Sequence, residues 1–92
     1  MDTRTLLPRM IGDEIRSARA RLNLSRDALA AKSGISAKTI QRLEHGERPA
    51  DVVQMQILGE VLGVEITDLL GRAIARTAEQ NGTRHSYSSA GR

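Results

Sequence analysis

Cysteine is absent from the 92 residues, so neither a disulfide framework nor a thiolate metal site holds this chain together. That absence fits a reducing, cytoplasmic setting. Long apolar runs are missing too. No stretch approaches the roughly 20 residues needed to cross a bilayer, and the opening MDTRTLLPRM lacks the apolar segment of a secretion signal. A soluble chain that stays inside the cell is expected, and the Asn81-Gly82-Thr83 match to a glycosylation acceptor is therefore without meaning. Histidine is scarce: His45 and His85 are the only two, and neither stands at a spacing from carboxylates or a nucleophile that would build a catalytic or metal site. The expectation is a chain that is not an enzyme and needs no cofactor and no metal.

The net charge is only +3, but its distribution is uneven. Residues 1–48 hold ten Lys/Arg against six Asp/Glu, a balance of +4. Residues 49–71 hold Asp51, Glu60, Glu65 and Asp68 and no basic residue, and residues 72–92 hold four Arg against Glu79. Segregated charge of this kind points the N-terminal half toward a polyanion and the acidic segment elsewhere.

The pattern is helical throughout. Ile11, Ile15, Ala18 and Leu22 recur at the spacing of one helix face, which predicts a first helix from about Pro8 or Ile11 to Arg21, ended by Asn23 in a left-handed conformation. Ser25 is suited to cap a short second helix that Gly34 stops, and Ser36 to cap a third that Gly46 closes, with Ile40 and Leu43 as its buried pair. Asp51 and Gln54 stand at the spacing of a capping box and open a fourth helix ending at Gly63. A fifth begins near Ile66 and either stops at Gly71 or runs on along Ala73, Ile74 and Thr77. One all-α domain over residues 1–79 is expected, followed by a polar, flexible tail over 80–92 that includes His85. The predicted core is Ile11, Ile15, Leu22, Leu29, Ala30, Ile35, Ile40, Leu43, Met55, Leu58, Leu62 and Leu69.

Two short helices joined by a tight glycine turn, the second polar on its outer face, form a helix-turn-helix arrangement. The stretch RDALAAKSGISAKTIQRLEHG, residues 26–46, resembles the lambda-repressor and Cro-like (Xre-type) family of DNA-binding proteins, and the likeness extends over roughly residues 11–70. Leu29, Ala30, Gly34, Ile35, Ile40 and Leu43 match the family's six diagnostic positions. Each has a physical reason: Ala30 lies where helices cross, Gly34 supplies the positive φ of the turn, and the four apolar residues lock both helices to the core. Glu44 with Gly46, Arg48 with Pro49, and the run Leu62, Gly63, Val64 also match. Arg26 departs from the Gln that members often carry there, and Gly59 from a usual Ala.

The resemblance implies a five-helix, lambda-repressor-like domain that reads the major groove of double-stranded DNA with its third helix. Ala37, Lys38, Gln41 and Arg42 would then face base edges, Ser36 and Thr39 would meet phosphate or base, and Arg26 and Arg48 would meet phosphate through charge. It further implies a largely buried ion pair between Arg19 and Glu44. The expected role is a prokaryotic or phage transcriptional regulator at the nucleoid, acting as a repressor because so short a chain offers little surface to recruit polymerase. Two other roles remain open: the antitoxin of a toxin-antitoxin pair, and an anti-activator that binds a protein antagonist.

Dimerisation follows from the residues themselves. On the fourth helix Val53, Met55, Ile57, Leu58, Val61 and Leu62 spread over roughly 200° at 100° per residue, about twice the arc that a surface helix turns to its core. A homodimer centred on Val53, Ile57 and Val61 would cover the excess, unless residues 72–79 fold back over it.

Overall fold

The structure is a computed structural model that describes residues 2–82 and contains, among them, five helices and no strand. Helix α1 spans Thr3–Arg21, α2 Arg26–Ser33, α3 Ala37–Glu44, α4 Val52–Leu62 and α5 Ile66–Asn81.

Helix α1 starts earlier than its periodicity predicted. Asp2 caps it, accepting a hydrogen bond from the Thr5 amide at 3.2 Å. Pro8 therefore lies inside the helix, where its missing N–H leaves the Arg4 carbonyl without its usual donor. What offsets that loss is burial, because Leu6 and Met10 on the extra turns join the core. The far end of α1 brings a correction. Leu22 is 50% exposed rather than buried, because the chain leaves helical phase there: Leu22 is the C-cap and Asn23 turns left-handed at φ 55°. A periodicity extended past the last helical residue no longer describes a face, and Leu24 packs against the core instead.

Ile15, Leu29, Ile40, Leu43 and Leu58 are the fully buried centre, where α1, α2, α3 and α4 meet. Ala30 and Ile35 are only half-buried and pack against this cluster from its edge. Ala73, which the sequence reading left out of the core, is completely buried.

Helix α5 continues through Gly71, although glycine in a helix interior costs about 1 kcal/mol relative to alanine. Tertiary contacts along α1 offset that cost. Leu69, Ala73 and Thr77 face inward, the Thr77 hydroxyl donates to the Ala73 carbonyl at 2.8 Å, and on the flank Arg72 and Arg76 pair with Glu14 and Asp13 of α1. Gln80 and Asn81, assigned to the tail by composition, complete this helix, and Gly82 caps it at φ 72°. The rest of the expected tail, 83–92 with His85, lies outside the described residues. Helix α1 thus serves as a spine, carrying α3 on one side and α5 on another.

Candidate nucleic-acid interface

The turn between α2 and α3 is built from local chemistry. Ser25 caps α2 by accepting from the Ala28 amide at 3.0 Å, and Gly34 ends it in the left-handed region at φ 77°, where a Cβ would be strained. Ser36 then caps α3, accepting from the Thr39 amide at 3.1 Å while its hydroxyl donates to Thr39 Oγ1 at 2.9 Å. Both hydrogen-bonding functions of Ser36 are therefore engaged within the helix start. The Thr39 hydroxyl, as acceptor of that bond, keeps its own proton for an outside partner.

Helix α3 is strongly two-sided. Ile40, Leu43 and Glu44 are buried, whereas Lys38, Gln41 and Arg42 stand exposed at i, i+3 and i+4 on the outer face. Ala37 and Thr39 are half-buried on its flanks. None of the Lys38, Gln41 and Arg42 side chains has a hydrogen-bond or ion-pair partner among the described residues, nor does that of Arg48, exposed on the loop between α3 and α4.

Behind this face lies a wholly buried carboxylate. Glu44 Oε2 receives Arg19 Nε at 2.7 Å, Oε1 receives Arg19 Nη2 at 3.0 Å, and Arg19 Nη1 goes on to the Leu24 carbonyl at 2.9 Å. The hydrogen bond to Glu44 holds the Arg19 guanidinium even further above its ordinary range, against burial, which opposes its charge. A second arginine joins them: Arg26 Nε donates to Glu44 Oε1 at 3.0 Å. The sequence reading placed Arg26 outward and missed this bond. Nothing in the periodicity signals it, because it links the start of α2 to the end of α3. Arg26, Asp27, Lys38 and Gln41 line an open groove between the beginnings of the two helices.

The seat of α3 rests on Gly12 of α1, which sequence reasoning also missed. A Cβ there would lie 2.6 Å from the Glu44 carbonyl oxygen and 2.8 Å from its carbon, and closer still to the Leu43 oxygen. Only glycine lets the two backbones approach this closely.

On α4, Val53 is 67% exposed and the neighbouring Val52 68%, while Ile57 and Val61 are half-buried. Helix α5 packs chiefly along α1, so residues 72–79 leave Val53 open to solvent. Among the described residues no helix is long and apolar enough to cross a membrane, and no three acidic, histidine or cysteine side chains converge as metal ligands.

Comparison with known proteins agrees with this geometry. The regulator of clp genes ClgR from Corynebacterium glutamicum is 27% identical in one crystal structure, with a TM-score of 0.73 over 79% of this chain and 95% of that one. A second ClgR structure is 25% identical, with a TM-score of 0.76 over 91% and 89%. The restriction-modification controller protein C.AhdI from Aeromonas hydrophila is 27% identical, with a TM-score of 0.65 over 67% and 94%. A search of the curated proteins finds no match. The helix-turn-helix family matches residues 15–69, a span that takes in the capped α2–α3 turn, the buried Glu44 and the whole of α4. The chain belongs to the lambda-repressor and Cro-like (Xre-type) helix-turn-helix family.

Proposed function

We propose that this protein is a sequence-specific regulator of transcription that binds double-stranded DNA as a homodimer and represses from a two-fold symmetric operator. The observation that carries the reading is the outer face of α3, where the side chains of Lys38, Gln41 and Arg42 stand without partners among the described residues on a helix anchored by Ile40, Leu43 and Glu44. Arg and Lys donate to guanine O6 and N7, Gln pairs with adenine, and the Ala37 methyl suits thymine. Thr39 and Arg48 serve phosphate, and Ser36 acts through the cap that orients Thr39. The likeness to ClgR and C.AhdI, described as a gene regulator and a controller protein, supports a regulatory role. The open valines of α4 support a partner on that side, with Ile57 and Val61 beside them.

The test is recovery of bound DNA from a random duplex pool, followed by mutation. The expected site has two half-sites about 10–10.5 base pairs apart. Arg42→Ala should cost about 1–3 kcal/mol on that site and relax preference at one base pair in each half. Arg48→Ala should weaken binding to all sequences alike and flatten the salt dependence. Equal loss on specific and random DNA for Arg42→Ala would refute the groove-reading role.

A further inference from the structure

Arg19 and Arg26 both reach Glu44, but they use their donors differently. Arg19 commits Nε, Nη1 and Nη2 to Glu44 and the Leu24 carbonyl. Arg26 commits Nε alone, and neither of its Nη nitrogens has a partner among the described residues. Its side chain is 35% exposed and borders the groove that Lys38 and Gln41 share. In a planar, rigid guanidinium the end-on pair of Nη–H bonds points about 120° away from Nε–H, so an inward bond from Nε leaves that pair as a fork for the groove. Charge adds to geometry. Arg19 offsets the single negative charge of Glu44, which leaves Arg26 as net positive charge on the groove. Asp27 on the same rim opposes an anion, and Lys38 counters it.

We propose that Glu44 is a positioning residue for DNA binding: from behind the groove it aims the Nη fork of Arg26 at one backbone phosphate. The two non-bridging oxygens of that phosphate would accept one N–H each. This inference rests on the DNA-binding reading above. It differs from a contact by charge alone, because the fork is held in place before DNA arrives and little side-chain freedom is lost on binding. The start of α2 beside the groove also favours an anion over a base edge.

The experiment compares Arg26→Lys with Arg48→Lys. Both keep the charge, but lysine cannot bond Glu44 and grip a phosphate with two prongs at once, whereas the Arg48 side chain has no carboxylate partner among the described residues. Affinities for the selected duplex and for a random duplex of equal length are measured over a potassium chloride series, with thermal melts to verify folding. Arg26→Lys should lose about tenfold on both duplexes with an unchanged salt slope, and Arg48→Lys no more than about twofold. Nitrogen-15 spectra of the unmodified protein should show a slowly exchanging Arg26 Nε–H before DNA is added, and slowed Nη–H exchange only afterwards. Equal losses in the two variants, or an Nε–H protected only by DNA, would overturn the positioning role. A loss confined to the selected duplex would make the fork a base reader and overturn the phosphate assignment. No binding of either duplex by the unmodified chain would overturn the DNA reading itself, and this inference with it.

Discussion

Replacing Gly12 by alanine tests the contact on which α3 rests. In an ordinary helix interior the change stabilises by about 1 kcal/mol. Here the new Cβ would meet the Leu43 and Glu44 carbonyls of α3, the Glu44 oxygen at 2.6 Å and its carbon at 2.8 Å, where ordinary contact begins at 3.4 Å. The three nearest atoms are all backbone, so swinging a side chain aside cannot relieve the clash, and α1 and α3 must separate. Such separation loosens Ile15, Ile40 and Leu43 together, and overpacking of this kind costs about 1–3 kcal/mol or more. With the propensity gain subtracted, the expected net change runs from about zero to a loss of about 2 kcal/mol, a fall in Tm of up to roughly 16 °C for a domain of this size. Gly71 provides the control, since it is helical and a Cβ there would meet nothing within 4 Å. Gly71→Ala should raise stability by about 0.5–1 kcal/mol. Thermal unfolding followed by far-UV circular dichroism, at one fixed protein concentration, reads both. If Gly12→Ala proves as stabilising as Gly71→Ala, the close approach of α1 and α3 is refuted.

Glu44→Ala leaves the Arg19 guanidinium part-buried without its carboxylate and should cost about 3–5 kcal/mol, read by urea denaturation; a loss under 1 kcal/mol would mean that water already reaches the pair. Ile57→Asp puts a charge beside the open valines of α4 and should shift a dimer at micromolar concentration to monomer in light scattering; a monomer before and after the change would exclude that interface. Asp51→Ala removes the 2.7 Å bond to the Gln54 amide and half of the capping box, for an expected loss of about 0.5–2 kcal/mol in the same denaturation assay.

Much of the fold is legible in the sequence because its signals are local. Ser25, Ser36 and Asp51 cap the helices that follow them, and Asn23, Gly34 and Gly63 take the left-handed conformation at the helix ends. Such features depend on a few neighbouring residues, so one stretch of chain contains all the information. The outer face of α3 is legible for the same reason: once Ile40 and Leu43 are inward, helical geometry alone turns Lys38, Gln41 and Arg42 outward. The errors fall where a local rule is extended across a boundary. Leu22 follows the apolar spacing of α1 but lies past its last turn, and Pro8 looked like a helix start although Asp2 already supplied one.

The sequence by itself therefore determined the number of helices, the turn between α2 and α3, the exposed outer face of α3 and the family, since caps, periodicity and glycine positions act over a few residues. Tertiary structure alone decided three further points. Helix α5 continues through Gly71 because Glu14 and Asp13, more than fifty residues away, pair with Arg72 and Arg76. Gly12 is indispensable only because the end of α3 lies against it. Arg26 turns its Nε to Glu44 because two helix ends meet around one buried carboxylate whose Oε1 accepts a second donor beside Arg19. Each of these depends on the distance between segments remote in sequence, which no spacing along the chain encodes.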